Sequence, residues 1–220
     1  MAKHLEKALD DLKRKILSLS TLVEENLKRS VDSLENRDAV LATQCIGMDV
    51  QVDQREVDVE EECLKMLALY QPVATDMRFI VAILKLNNDL ERIGDLAVNI
   101  AERAVVLASL PPVKFDFDFH AMFAKAHGMF KSSLDALVNL DVKLAWEVSA
   151  TDDEVDAMNR EVYEKVKDAI LKDPSTIDVM IHLLSISRQL ERVGDHATNI
   201  AEDVIYMVEG QIVRHVPRSY

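Results

Sequence analysis

The chain has 220 residues, of which 26 are Lys or Arg and 39 are Asp or Glu, so its net charge is −13. Gly and Pro number only five each, and aromatic residues make up 5% of the chain. This composition is typical of helical bundles. The negative charge argues against nucleic acid as a partner, because phosphates would be repelled, and it disfavours direct docking onto anionic lipid.

The sequence predicts a cytosolic protein. Its N-terminal residues are charged from the start and lack the apolar region of a signal peptide. No run of 18 apolar residues occurs, so no segment is expected to span a bilayer. Cys45 and Cys63 fall in one predicted helix, about 27 Å apart. That separation is too large for a disulfide, so we expect two buried thiols without a chemical role.

Six segments with apolar residues at three- and four-residue spacing follow one another along the chain. Breaks near residues 36–38, 71–72, 111–112, 139–141 and 173–174 separate them. The first segment carries a continuous apolar stripe formed by Leu5, Leu9, Leu12, Ile16, Leu19, Val23 and Leu27. Long segments with short connections predict antiparallel helices, and no stretch alternates for long enough to form a sheet.

An internal duplication organises these helices. The motif LERIGDLAVNIAE at 90–102 returns as LERVGDHATNIAE at 190–202, with ten of thirteen positions identical and an interval of 100 residues. The stretch SLPPVKFDFDF at 109–119 divides the chain between the two copies. We therefore predict an all-α fold of two tandem, internally repeated three-helix bundles. The predicted boundaries are 1–108 and 120–220, with 109–119 as the linker.

The repeated motif places its acids on one helical stripe and its apolar residues on the opposite face. The stripe contains Glu91, Asp95, Asn99 and Glu102 in the first half, and Glu191, Asp195, Asn199 and Glu202 in the second. The neighbouring Arg92 and Arg192 are expected to point about 100° away from it. Gly94 and Gly194 each cost about 1 kcal/mol relative to Ala in mid-helix, which indicates close approach of a neighbouring helix or ligand.

The second helix of each half carries a matching acidic stripe. It comprises Asp49, Asp53, Glu56 and Glu60 in the first half, and Asp152 and Asp156 in the second, where Asn159 stands in the place of Glu56. If the stripes of neighbouring helices face each other, four or more carboxylates converge and need a cation. All-oxygen ligation suits Mg, Ca, Mn or iron. The alternative is an acidic surface that is simply solvated.

The sequence resembles the PhoU family of phosphate-signalling regulators over essentially its whole length. The resemblance rests on QPVATDMR (71–78), LERIGD (90–95), LERVGD (190–195), DVQVDQRE (49–56) and DDEVD (152–156). It implies bundles that are often dimerised and that hold multinuclear clusters of iron or zinc. The metal ligands that it implies, with Glu56 added from its place in the stripe, are Asp49, Asp53, Glu56, Glu91, Asp95, Asp152, Asp156, Glu191 and Asp195.

The resemblance also implies a function. Family members restrain the phosphate-starvation response and limit phosphate uptake, working between an ABC-type phosphate transporter and a membrane sensor histidine kinase. This chain would then bind the transporter ATPase and the kinase, and would reach the membrane only through them. Asp76 and Arg78 occupy a place associated with partner contact, whereas the second half has PSTID (174–178) and no Arg there. An alternative role for Asp76 is capping of the third helix.

Two other functions compete with this one. A ferritin-like carboxylate-bridged metal enzyme would use Glu-x-x-His pairs, and none of the six histidines has a Glu three residues before it. His196 follows Asp195, but Leu96 holds that place in the first half. Because Gly-rich phosphate loops and nucleophile motifs are also absent, we expect no enzyme. The third candidate is a helical adaptor that binds no metal.

Overall fold

The computed structural model describes residues 2–213. They form six α-helices and no strand, which confirms the predicted all-α class. The helices are α1 (Ala2–Glu35), α2 (Ala39–Tyr70), α3 (Ala74–Ser109), α4 (Phe119–Asn139), α5 (Val142–Lys172) and α6 (Ile177–Glu209), with a 3-10 turn (Pro174–Thr176) before α6. Residues 1 and 214–220, which the predicted bundle boundaries include, lie outside the described part.

Aspartate side chains start three of these helices. Asp38 accepts hydrogen bonds from the backbone N–H groups of Val40 and Leu41, and Asp118 and Asp141 cap α4 and α5 in the same way. Each such cap is worth about 1 kcal/mol. The chain breaks therefore fall where sequence periodicity predicted them.

The helices form two bundles. α1 packs with α2 and α3, and α4 packs with α5 and α6. The apolar stripe predicted on α1 supplies fully buried residues such as Leu12, Leu19 and Leu27. Residues 110–118 connect the bundles outside any helix. Within residues 2–213, no helix is both long and apolar enough to cross a bilayer.

The two bundles join along α3 and α6, the helices that carry the repeated motif. Lys85 Nζ lies 3.2 Å from Asp203 Oδ1, and Asp89 Oδ1 lies 2.8 Å from His196 Nδ1. Because residue numbers rise along α3 as they fall along α6 in these pairs, the two helices run antiparallel. The apolar core is continuous between the bundles.

Candidate functional site

In the first bundle, the acidic stripe of α3 faces the acidic stripe of α2. Burial raises the pKa of Glu91 above its usual value, and the negative charges of Asp95, Asp53 and Asp49 raise it further, against the opposing charge of Arg92. Carboxylates on one helix shift the pKa of another only when they lie close to it. The two stripes therefore converge, and we call Asp49, Asp53, Glu56, Glu91 and Asp95 the first acidic cluster.

The pKa values of Glu56 and Asp49 are raised for the same reasons as that of Glu91. Burial raises the pKa of Glu56, and the charges of Glu60, Glu91 and Asp53 add to the rise. Burial also raises the pKa of Asp49, with Asp53 and Asp95 contributing. The cluster thus carries more negative charge than its surroundings neutralise.

Two contacts hold α2 against α3 beside this cluster. A Cβ built on Gly94 would lie 3.0 Å from Val52 Cγ1, so the close helix approach predicted at Gly94 is confirmed. Asn87, which is buried, donates to Glu56 Oε1 at 2.8 Å and to the backbone oxygen of Glu56 at 3.0 Å. One member of the first acidic cluster is therefore held in place by a neutral amide from the neighbouring helix.

The prediction that Arg92 points away from the acids is wrong. Its Nη1 lies 3.3 Å from Asp95 Oδ2, and its Nε lies 3.4 Å from Glu91 Oε2. A long side chain can fold back along the helix surface even when its Cα–Cβ bond points elsewhere. Because the Arg92 side chain is 57% exposed, these ion pairs neutralise the cluster only weakly.

The second bundle repeats the arrangement with α5 and α6. Burial raises the pKa of Glu191, and the charges of Asp195, Asp156 and Asp152 raise it further, against Arg188. We call these four carboxylates, Asp152, Asp156, Glu191 and Asp195, the second acidic cluster. Here too the acidic stripes of neighbouring helices face each other.

The surroundings of the second cluster differ from those of the first. Burial and the charge of Asp156 raise the pKa of Asp195, whereas His196 and Arg192 lower it. The Ser187 hydroxyl donates to Asn159 Oδ1 at 2.8 Å, at the place where Asn87 meets Glu56 in the first bundle. A Cβ on Gly194 would lie 3.5 Å from its neighbours, including Asp152 Oδ1, which is ordinary van der Waals contact. The tight approach expected from the sequence is therefore confined to Gly94.

The second cluster borders a cleft of about 590 Å³ between the bundles. Asp152 and Asp195 line it from α5 and α6, and Lys85, Asp89 and Asn199 line it from the α3–α6 contact. In that contact His196 is bonded to Asp89. His196 therefore belongs to the interface between the bundles.

The donor chemistry of both clusters fits a hard cation, because every donor is a carboxylate oxygen. Within residues 2–213, however, no three His, Cys, Asp or Glu side chains stand close enough together to hold a metal ion as they are placed. Side-chain rotation would have to bring them closer. Burial raises the pKa values of Glu91 and Glu191, and the neighbouring carboxylates raise them further. A bound cation would oppose the part that is due to neighbouring charge.

Asp76 and Arg78 lie at one end of the first bundle, beside a mainly apolar cavity of about 480 Å³. The cavity also has Lys13 and Phe79 in its wall, with Lys13 Nζ 5.4 Å from the Phe79 ring centroid. Arg78 lies against Gly210, which follows α6. Asp76 is in the first turn of α3, but the N-cap residue is Val73 and makes no side-chain cap bond.

Sequence reasoning missed Asn87 and Ser187, which connect the helices beside each cluster. A signal was present: each lies four residues before the Glu of its motif, on the same helical stripe. It also missed the bonds of Lys85 and Asp89 across the α3–α6 contact. Their partners are more than 100 residues away, and no local pattern indicates them.

The structure thus defines an all-α class of protein, built from two repeated three-helix bundles with facing acidic stripes. The PhoU domain model matches residues 16–104 and again 119–204. The chain belongs to the PhoU family. This confirms the family resemblance of the sequence, and the two matches coincide with the two bundles.

Relatives and solved structures agree with this assignment. A phosphate-specific transport system accessory protein PhoU homolog of Aquifex aeolicus is 38% identical over 211 residues, which cover 96% of each chain. The crystal structure of PhoU from Pseudomonas aeruginosa superposes with a TM-score of 0.90 at 35% identity, covering 94% of this chain and 99% of that one. The phosphate transport system regulatory protein PhoU from Streptococcus pneumoniae gives 0.85 at 27% identity, covering 95% and 99%. These names describe accessory and regulatory proteins, which confirms the prediction of a non-enzymatic chain.

Proposed function

We propose that this chain is an accessory protein of a phosphate-specific transport system, which limits phosphate uptake and restrains the phosphate-starvation response by binding. Its partners would be the ATPase of an ABC-type phosphate transporter and a sensor histidine kinase. Family membership over nearly the whole chain supports the transport role. A cytoplasmic position at the membrane, reached through these partners, and a homodimeric state remain predictions.

The end of the first bundle is the proposed partner surface. Arg78 lies in the wall of a mainly apolar cavity, and Val73 and Met77, which precede it in the sequence, have exposed side chains. An arginine beside apolar surface is typical of residues that dominate binding energy. At the equivalent place in the second bundle stands Asp178, of opposite charge. This single observation favours one docking end over the other.

Charge reversal tests this surface. Arg78→Glu should abolish co-purification with the transporter ATPase or the kinase and should derepress starvation genes in phosphate-rich medium, with helicity and melting temperature unchanged. Asp178→Arg, the matched reversal in the second bundle, should leave both readouts unchanged. Deletion of the whole gene without any change in phosphate uptake or gene response would refute the regulatory function.

We further propose that the two acidic clusters bind metal ions. Iron or zinc follows from the resemblance, and Mg, Mn or Ca fits the all-oxygen donors equally well. The ligands would be Asp49, Asp53, Glu56, Glu91 and Asp95 in the first bundle, and Asp152, Asp156, Glu191 and Asp195 in the second. A bound cation would relieve the repulsion between the stripes and tie each motif helix to its neighbour.

Elemental analysis of the purified chain, with and without chelator, tests the metal proposal. Glu91→Gln with Asp95→Asn should lower bound metal, and Glu191→Gln with Asp195→Asn should lower it independently. The exposed pair Glu164 and Asp168 on α5 has the same spacing, so Glu164→Gln with Asp168→Asn is the matched control. Unchanged metal in both cluster variants would show that the site assignment is wrong.

A metal-free helical adaptor is the second candidate. The observation that favours it is that no three ligating side chains are brought within metal-binding reach among residues 2–213. Wild-type protein that holds no metal after purification without chelator would establish this alternative. The proposed partners and the Arg78 experiment would be unaffected.

A further inference from the structure

The outer face of α2 carries a stripe of exposed apolar residues. Val50, Val57 and Leu64 are 72%, 43% and 54% exposed. They follow one another at seven-residue steps, so they lie along one line of the helix. The buried residues Val52 and Val59 lie on the opposite face, against the core. We call Val50, Val57 and Leu64 the outer stripe of α2.

The duplication provides an internal control for this stripe. Asp49 and Asp53 correspond to Asp152 and Asp156, so Val50, Val57 and Leu64 correspond to Asp153, Arg160 and Lys167. All three residues on α5 are exposed and charged. The equivalent helix of the second bundle, α5, therefore folds with charged residues at these three positions. The apolar face of α2 is therefore not a requirement of the fold, and it indicates a contact with another molecule.

Acidic residues surround the outer stripe, and their charge limits the kind of partner that can bind there. Glu60 and Asp53 flank it on one side and Asp58 on the other, and Glu61 lies within it, all of them exposed. Lys65, which is also nearby, already contacts Glu62 at 3.7 Å. A partner that covers the stripe must therefore supply cationic side chains along its edges.

A second copy of α2 does not meet this requirement. Antiparallel pairing about Val57 would place Asp53 near Glu60 of the other copy and Asp58 near its own counterpart. Parallel pairing would place Asp58 near Glu60 of the other copy and Glu61 near its own counterpart. Like charges at these flanking positions oppose association. An anionic lipid surface is repelled for the same reason.

We propose that the outer stripe of α2 docks an amphipathic helix of another protein, with apolar residues at heptad spacing and Lys or Arg along both edges. Apolar side chains of that helix would pack on Val50, Val57 and Leu64, and its cations would meet Asp58, Glu60 and Glu61. This is the helix-on-helix mode of recognition, with charge setting partner choice. The inference does not involve the Arg78 surface, and the acids that would meet these cations lie outside the first acidic cluster.

A synthetic three-heptad peptide with Leu at the a and d positions and Lys at the e and g positions is the probe. Fluorescence anisotropy with the full chain should show binding that weakens as salt rises. Val50→Asp with Val57→Arg and Leu64→Lys reproduces the α5 face and should raise Kd at least tenfold. Leu171→Lys, a charge added at an exposed apolar position on α5, should leave Kd unchanged.

Three results would overturn the proposal. A scrambled peptide of equal composition that binds as tightly would show simple attraction to an acidic protein. A peptide with Glu at the e and g positions that binds as tightly as the Lys peptide would contradict the charge argument. Sedimentation showing a wild-type dimer that the triple variant converts to monomer would assign the stripe to a second copy. Binding of the Lys peptide that is lost only in the triple variant supports the proposal.

Discussion

Positions 87 and 187 are equivalent in the two bundles, and each places a buried polar side chain against the neighbouring helix. Asn87 donates to the carboxylate of Glu56 in the first bundle, whereas Ser187 donates to the amide of Asn159 in the second. The place of the bond is conserved between the halves while its charge is not. At this contact the geometry is kept although the chemistry changes.

The contact between the bundles, in contrast, is not repeated at the equivalent positions. Lys85 pairs with Asp203 across α3 and α6, but Ser185 and Arg103 stand at the equivalent positions. A duplicated pair of helices could make the same contact twice, once on each side of an approximate two-fold axis. Here one side carries an ion pair and the other does not. The two repeats have therefore diverged in sequence at the α3–α6 contact between the bundles.

The largest expected difference between the two sides of the interface is in stability, and substitution of Lys85 should reveal it. Asp203 is 2% exposed, so Lys85→Met takes the ammonium from a buried carboxylate and should lower the free energy of unfolding by about 2–3 kcal/mol. The cost lies at the low end because the Lys85 side chain is 36% exposed. Ser185→Ala should cost less than about 0.5 kcal/mol. Equal losses in urea unfolding would contradict an asymmetric interface.

The buried bonds within the bundles should differ by less. Asn87→Ala removes hydrogen bonds to a charged group and should cost about 2 kcal/mol, whereas Ser187→Ala removes a neutral bond and should cost about 1 kcal/mol. Double-mutant cycles of Asn87 with Glu56, and of Ser187 with Asn159, measure the two coupling energies. A larger coupling in the second bundle would show that charge does not set the strength of this contact.

The two glycines sharpen the comparison further. Gly194→Ala gains up to about 1 kcal/mol of helix propensity, and its new methyl group fits. Gly94→Ala gains the same propensity but meets Val52 Cγ1 at 3.0 Å, so its net stabilisation should be smaller. Thermal unfolding of both variants in chelator checks this order. Greater stabilisation by Gly94→Ala would mean that Val52 moves aside at little cost.

The smallest expected effect concerns pH. The folded-state pKa values of Glu91, Glu56 and Glu191 lie above the ordinary value of 4.5. The folded, metal-free chain therefore binds more protons than the unfolded chain, and its stability should fall as pH rises through and just above that value. Glu91→Gln should reduce this dependence and add a few tenths of a kcal/mol at neutral pH.

The matched variant in the second bundle is Glu191→Gln. It should have a weaker effect than Glu91→Gln, because Asn159 is neutral where Glu56 carries charge. Urea unfolding in chelator at several pH values measures both slopes. A stability that rises with pH in wild type, or identical slopes in all three proteins, would show that the clusters do not repel themselves as inferred.

Most of the fold was predictable because it follows from local patterns. The helix boundaries follow apolar periodicity and the aspartates at residues 38, 118 and 141. The two acidic stripes followed from helical angle alone, but their facing each other did not, because the angle along one helix does not say which side its neighbour covers. Arg92 was misjudged because rotamers, unlike Cα positions, do not follow the helical period.

The interface between the bundles was not predictable from the same patterns. Asp89 and His196 meet across 107 residues of sequence, and neither belongs to an acidic stripe. The duplication concealed the pair, because the equivalent positions hold Gln189 and Leu96. Departures from an internal repeat therefore mark where tertiary contacts were added, but they do not identify the partner.

The two cysteines of α2 give the molecule a built-in reporter of its own opening. Cys63 and Cys45 are wholly inaccessible to solvent. Burial, with smaller contributions from Glu62 and Glu60, raises the pKa of the Cys63 thiol to about 12. Because the thiolate is the reactive form, alkylation by an added reagent must wait until α2 separates from its neighbours. The rate of alkylation would therefore time that separation in unlabelled, wild-type protein, and an ion bridging α2 to α3 would slow it.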